Sequence, residues 1–83
     1  MLSEHHDISH EFPEYRRMID KLRATDQNFD SLVAKHDFID DEIRLLEEKQ
    51  SPISDTEIEK MKYARTALKD LIYQSLRTEA AKG

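Results

Sequence analysis

The sequence predicts an all-α fold, an antiparallel two-helix hairpin of coiled-coil type with a short additional helix at its N-terminal end. One observation is composition: 37% of the 83 residues are charged, and the chain has one Gly and two Pro, which favours helices over strands and turns. The other is an apolar rhythm of three- and four-residue steps over residues 28–49, followed by a break at Pro52 and a second helical stretch. Two long helices joined by a short connector form a hairpin.

The N-terminal part predicts a loose end followed by helix 1. Residues 1–11 hold three of the four His and few apolar side chains, so we expect them to be flexible or frayed. Helix 1 is predicted over residues 13–24, because Pro13 suits a first helical position and Glu14 complements the helix dipole. Its apolar stripe consists of Phe12, Tyr15, Ile19 and Leu22.

A polar segment, residues 25–28, separates helix 1 from helix 2. It contains Thr25, Asp26 and Asn28, which are good N-cap residues. The apolar phase also slips here, which fits a kink or a break. The sequence leaves two alternatives, a true break or a polar turn within one long helix.

Helix 2 is predicted over residues 28–49, the connector over 50–54 and helix 3 over 55–80, where Ser54 and Glu57 match a capping box. Folding about the connector sets acidic residues of helix 2 beside basic residues of helix 3. The inward positions of helix 2 are Phe29, Leu32, His36, Ile39, Ile43 and Leu46. Those of helix 3 are Ile58, Met61, Ala64, Leu68, Leu71, Ile72 and Leu76.

A hairpin has a single contact face, so self-association is expected. Helix 1 either folds back to make a three-helix monomer or stays apart while two hairpins form a four-helix homodimer. We favour the dimer, because residues 25–28 lack the Gly or Pro that eases a sharp reversal. The predicted interaction surface comprises Phe38, Leu45, Leu71, Tyr73 and Leu76, and some off-seam apolar residues could instead pack against helix 1.

Catalysis is not predicted. The chain has no Cys, and the one polar pair at helical spacing, His36 and Asp40, has no nucleophile beside it and no pocket to exclude water. His36 is better explained as a polar seam residue that fixes register. We therefore assign no catalytic residue and no cofactor.

Two features support an alternative, a metal-responsive or nucleic-acid-associated regulator. His6 and His10 would share one helix face, a spacing that can bind zinc or nickel, but a flexible, solvated terminus with incidental metal affinity is the preferred explanation, so we assign no metal site. Basic residues run from Lys60 to Lys69, but the net charge is −5 and residues 26–50 carry eight acids against three bases. Such an acidic balance disfavours phosphate binding.

Localisation is predicted to be cytoplasmic. The chain has no apolar stretch near the ~20 residues that cross a bilayer. The segment from Met1 to Asp7 lacks the basic start and apolar core of a signal peptide. We expect no membrane association.

The sequence resembles the YdcH-like family, small bacterial proteins with a domain of unknown function. The resemblance covers roughly residues 11–79. It rests on Phe12-Pro13-Glu14-Tyr15-Arg16, Ile19, Leu22, Phe29-x-x-Leu32-x-x-Lys35-His36, Asp40-x-Glu42-Ile43 and Leu68-Lys69-Asp70. It implies a simple helical hairpin and no activity, substrate or catalytic residue. Leu71 stands where members often carry an acid, which adds apolar surface.

The function class that these observations favour is a non-enzymatic protein–protein interaction or self-association module. Its partner would be a second copy or another helical protein, with no small-molecule substrate. The regulator described above remains the alternative.

Overall fold

The computed structural model describes residues 7–48 and 55–82. These residues are almost entirely helical, and none of them lies in a strand. The elements are α1 (Ile8–Glu11), a 3₁₀ turn (Pro13–Tyr15), α2 (Arg16–Thr25), α3 (Gln27–Glu48) and α4 (Asp55–Lys82). The predicted all-α class is therefore confirmed for the described residues. The predicted connector, residues 50–54, lies outside them.

A single residue, Asp26, separates α2 from α3. Its backbone is extended (φ −128°, ψ 103°), and its amide donates to the Leu22 carbonyl at 2.7 Å. Its carboxylate accepts from the Phe29 amide at 3.1 Å, while its carbonyl accepts from the Asp30 amide at 3.0 Å. Asp26 thus closes one helix and caps the next. Of the two alternatives for this segment, the true break is correct.

The chain reverses direction at this break. Arg23 Nε lies 2.7 Å from Asp30 Oδ1, close to the turn, whereas the Ile8 amide donates at 3.1 Å to Asp37 Oδ1, two turns further along α3. Residues 7–25, which we call the N-terminal arm, therefore run back along α3. The expectation that a segment without Gly or Pro would resist this reversal is wrong, since one extended, doubly capping residue accomplishes it.

The start of the arm is docked, contrary to the frayed terminus expected for residues 1–11. Asp7 caps α1, because its side chain accepts from the His10 amide at 3.1 Å. Ile8 is fully buried, and Lys69 Nζ of α4 lies 3.0 Å from Glu11 Oε2. Burial of Ile8 opposes fraying at this point. Residues 1–6 lie outside the described part of the chain.

The main core lies where the arm meets α3 and α4. Its seven buried members come from all four α-helices, and three of them belong to the arm. They are Ile8, Ile19, Leu22, Phe29, Val33, Ile72 and Leu76, with Phe12, Tyr15, Met18 and Leu32 packed at the edge.

The most buried line of α3 is rotated from the predicted seam. It consists of Phe29, Val33, His36, Asp40 and Ile43. Val33 and Asp40 take the places predicted for Leu32 and Ile39, which are only half-buried. The reason is the arm, which packs against one side of α3 and so shifts the most buried positions of α3 toward that side. Leu32 and Ile39 are left nearer the opposite side.

Ion pairs join α3 to α4. Arg65 Nη1 lies 2.7 Å from Asp40 Oδ1, and Lys62 Nζ lies 3.3 Å from Glu47 Oε2. The lower-numbered residue of α4 pairs with the higher-numbered residue of α3, so these contacts run in opposite chain directions along the two helices. This arrangement leaves the arm on one side of α3 and α4 and an uncovered side opposite it.

Candidate interaction surface

The side of α3 and α4 away from the arm carries a shallow apolar groove, which we call the outer face. The groove has a volume of about 460 Å³ and is lined almost entirely by carbon atoms. Its lining residues are Ala34, Lys35, Phe38, Ile39 and Leu68. Within the described part of the chain nothing covers this groove.

Phe38 stands at the centre of the outer face with 65% of its surface exposed. Leu45, two helical turns further along α3, lies on the same side of the helix and is also exposed. Burial of a side chain as large as Phe contributes about 1.5–3 kcal/mol. A residue of this size left in solvent, with a second apolar residue in line, is typical of an interaction surface.

Leu71 extends the apolar surface onto α4. It is 50% exposed and, together with Leu32, lines a second groove of about 380 Å³ near the start of α3. The exposed positions predicted at Phe38, Leu45 and Leu71 thus all present apolar surface to solvent.

Two other residues of the predicted surface have different roles. Leu76 is fully buried in the core, so its assignment to a surface is wrong. Tyr73 is 38% exposed, but its ring stacks on Phe12 of the arm with centroids 5.3 Å apart. Both differences have one cause: the arm folds back over this part of α4.

The buried polar residues of α3 pair differently from the i, i+4 expectation. His36 is fully buried, and its Nδ1 lies 3.0 Å from Asp37 Oδ1 rather than beside Asp40. Asp40 is also buried and faces Arg65. Asp40 thus helps to dock α4, and Asp37 helps to dock the arm.

We expect His36→Leu to leave the melting temperature unchanged or to raise it slightly. Asp37 is partly exposed and keeps the Ile8 amide as a donor, so loss of the imidazole leaves that carboxylate paired. Loss of one hydrogen-bond partner is costly chiefly when it leaves a buried group unsatisfied, which is not the case for Asp37. Circular dichroism melting would check this, and a large loss of stability would show that the imidazole makes an essential hydrogen bond.

The histidine metal hypothesis has limited structural basis. His10 Nδ1 contacts the carboxylate of Asp7, the N-cap residue of α1, and His6 lies outside the described residues. Among the residues that the structure describes, no group of three or more His, Cys, Asp or Glu side chains could hold a metal ion. Over the same residues, no helix has the length and apolar character needed to cross a bilayer.

Basic side chains of α4 are paired with acids of the same chain. Lys62 pairs with Glu47, and Lys69 pairs with Glu11. Lys60 lies 3.7 Å from Glu57, and Arg65 pairs with Asp40. A phosphate backbone would have to compete with these carboxylates.

A protein-family profile matches more than half of the chain. The profile described as "Protein of unknown function (DUF465)" matches residues 29–76, which include the outer face. The chain belongs to this family.

Two curated relatives confirm the predicted resemblance to YdcH-like proteins. The chain is 35% identical to "Uncharacterized protein YdcH" of Escherichia coli (strain K12) over 71 residues, which cover 86% of this chain and 96% of the relative. The protein of the same description from Shigella flexneri matches with the same identity and coverage. No solved structure matches the chain.

Proposed function

We propose that this DUF465 protein is a cytoplasmic, non-enzymatic module that docks another helix on its outer face. In this proposal α3 and α4 form an antiparallel hairpin, and the arm braces the hairpin from the opposite side. The observation that carries the proposal is the exposure of Phe38 directly beside an apolar groove.

The difference between the two sides of the hairpin supports this function, since one side is covered by the arm and the other is exposed. The arm is fixed by specific polar contacts, namely Ile8 to Asp37 and Glu11 to Lys69, and by the stack of Phe12 on Tyr73. One side of the hairpin thus finds its apolar partner within the chain. The other side offers carbon surface of the kind that an amphipathic helix buries in a groove.

The polar groups inside the protein support a structural rather than a catalytic role. Buried Asp40 is engaged by Arg65 at 2.7 Å, and buried His36 lies beside Asp37. Neither side chain lines the groove on the outer face. The groove itself presents carbon, which suits burial of a partner's apolar side chains.

In-cell photocrosslinking tests this function. A photoreactive benzophenone amino acid replaces Phe38, and in a parallel variant it replaces Tyr63, which is 79% exposed and lines neither groove. We expect position 38 to give a discrete crosslinked product after irradiation, because a docked helix would lie against it. Position 63, though more exposed, should give only weak, diffuse products.

A second substitution ties the product to the outer face. Leu71→Glu places a charge on the apolar surface of α4 at an exposed position, where the fold tolerates it, and should reduce the crosslink from position 38. Absence of a product at position 38, or equal products at positions 38 and 63, would reject the docking function.

A further inference from the structure

We propose that the helix docked on the outer face is α3 of a second copy of this chain. The two α3 helices would cross antiparallel about a twofold axis that passes between Phe38 and Ile39. This inference rests on the proposed function, since it names the partner for the same surface. It differs from that function in predicting a defined register.

The first argument is that the outer face contains both a projection and a recess. Phe38 projects with 65% of its surface exposed, and the groove beside it is lined by Ala34, Ile39 and Leu68. A twofold axis places the same patch on both sides of a contact. Each copy would therefore insert its Phe38 into the groove of the other.

The second argument comes from the charged residues of α3. Within the described part of the chain, Lys35 and Glu42 are the charged side chains of this helix that form no ion pair or hydrogen bond. The others are engaged: Asp30, Asp37, Asp40, Asp41, Arg44, Glu47 and Glu48. Lys35 and Glu42 stand two helical turns apart, so they lie on the same side of α3 as Phe38.

The positions of these two charges fit the proposed axis. Residues 35 and 42 are equally far from the point midway between residues 38 and 39. In an antiparallel pair centred there, Lys35 would lie level with the partner's Glu42, and Glu42 level with the partner's Lys35. Opposite charges that face each other across a helix–helix contact select register and orientation.

Apolar residues extend the same register. Leu32 and Leu45 are also equally distant from the axis, so Leu32 would lie level with the partner's Leu45. Leu45 is exposed, whereas Leu32 is half-buried at the edge of the core and lines the second groove. The contact would therefore have Phe38 and Ile39 at its centre, charges one turn away and leucines at its ends.

Charge reversal tests the register. Lys35→Glu and Glu42→Lys should each raise the dissociation constant of the dimer about 10- to 100-fold, because each creates two like-charge contacts. An equimolar mixture of the two variants should restore wild-type affinity as a heterodimer, and so should the double variant Lys35→Glu/Glu42→Lys. Sedimentation equilibrium measures each mass against that of the 9.8 kDa chain.

Matched controls make equal changes of charge on the arm. Lys21→Glu and Asp20→Lys reverse exposed charges of α2, away from the outer face. Each should leave the dissociation constant within about twofold of wild type, because exposed charges beyond a Debye length are screened. Circular dichroism melting shows that every variant is folded. Equal weakening by these controls would attribute the effect to net charge and overturn the register.

Failure of this inference is distinguishable from failure of the proposed function. A chain that sediments at 9.8 kDa at every concentration, or a dimer that the two charge reversals leave unchanged, would overturn the second-copy register. The crosslink at position 38 would then decide the docking function by itself. If its product contains a different protein, the outer face docks that protein instead of a second copy.

Discussion

Arg65→Leu should lower the free energy of unfolding by about 3 kcal/mol, the lower end of the range for a broken buried ion pair. Asp40 is 2% exposed, and its Oδ1 lies 2.7 Å from the Arg65 guanidinium. The substitution leaves the carboxylate in the interior without this cation. We choose the lower end because the Arg65 side chain is itself 25% exposed, so solvent screens part of the interaction. Chemical denaturation measures the change.

A double substitution isolates the cause. Asp40→Leu/Arg65→Leu removes both charges and should recover most of the stability, since well-packed apolar residues replace buried ion pairs at little cost. Lys62→Leu is the matched control, because it breaks a pair whose two side chains are both partly exposed, and it should cost less than about 1 kcal/mol. A double variant as unstable as Arg65→Leu would show that the arginine stabilises the fold by packing rather than by charge.

Leu76→Ala should cost about 2–5 kcal/mol, the range for truncation of a buried leucine. Leu76 is fully buried in the core formed with the arm. Leu71, one and a half turns earlier on α4, is 50% exposed, and Leu71→Ala should change stability by less than about 1 kcal/mol. Small domains are stable by about 5–15 kcal/mol, so Leu76→Ala removes a large fraction of the total.

Thermal melting at micromolar concentration or below compares the two leucine variants while limiting any contribution from association. Equal losses at both positions would contradict the placement of Leu76 in the core and Leu71 at the surface. A loss at Leu71 that grows with protein concentration would instead indicate that a second copy buries it.

The sequence could predict the helices and the exposed apolar positions because both depend on local spacing. Phe38 and Leu45 are two turns apart and out of phase with the main stripe of α3, so their exposure follows from one helix alone. The same reasoning failed at Leu76, whose burial depends on a neighbour. Periodicity identifies the apolar sides of a helix and does not reveal which of them another element covers.

The sequence predicts acids of α3 beside bases of α4, which the contact of Asp40 with Arg65 bears out, but it does not predict that this pair is buried. The positions of Phe29, Val33, His36, Asp40 and Ile43 repeat at steps of four and three as regularly as the predicted seam does. Periodicity alone does not show that the acid in that series is buried, because the residue that pairs with it comes from another helix. The docking of Ile8 could not be predicted either. It depends on the chain reversal at Asp26, where the sequence has no Gly or Pro to indicate a turn.

The contacts of the arm set an order of folding. Glu11 and Lys69 are 58 positions apart in the chain, and Ile8 and Asp37 are 29 apart. Closing a loop of 58 positions costs more entropy than closing one of 25, the separation of Asp40 and Arg65. The contact of the arm with α4 therefore closes a longer loop than the pairing of α3 with α4 does. Because the arm is synthesised before α4, the contact of Glu11 with Lys69 can form only after that part of α4 has left the ribosome.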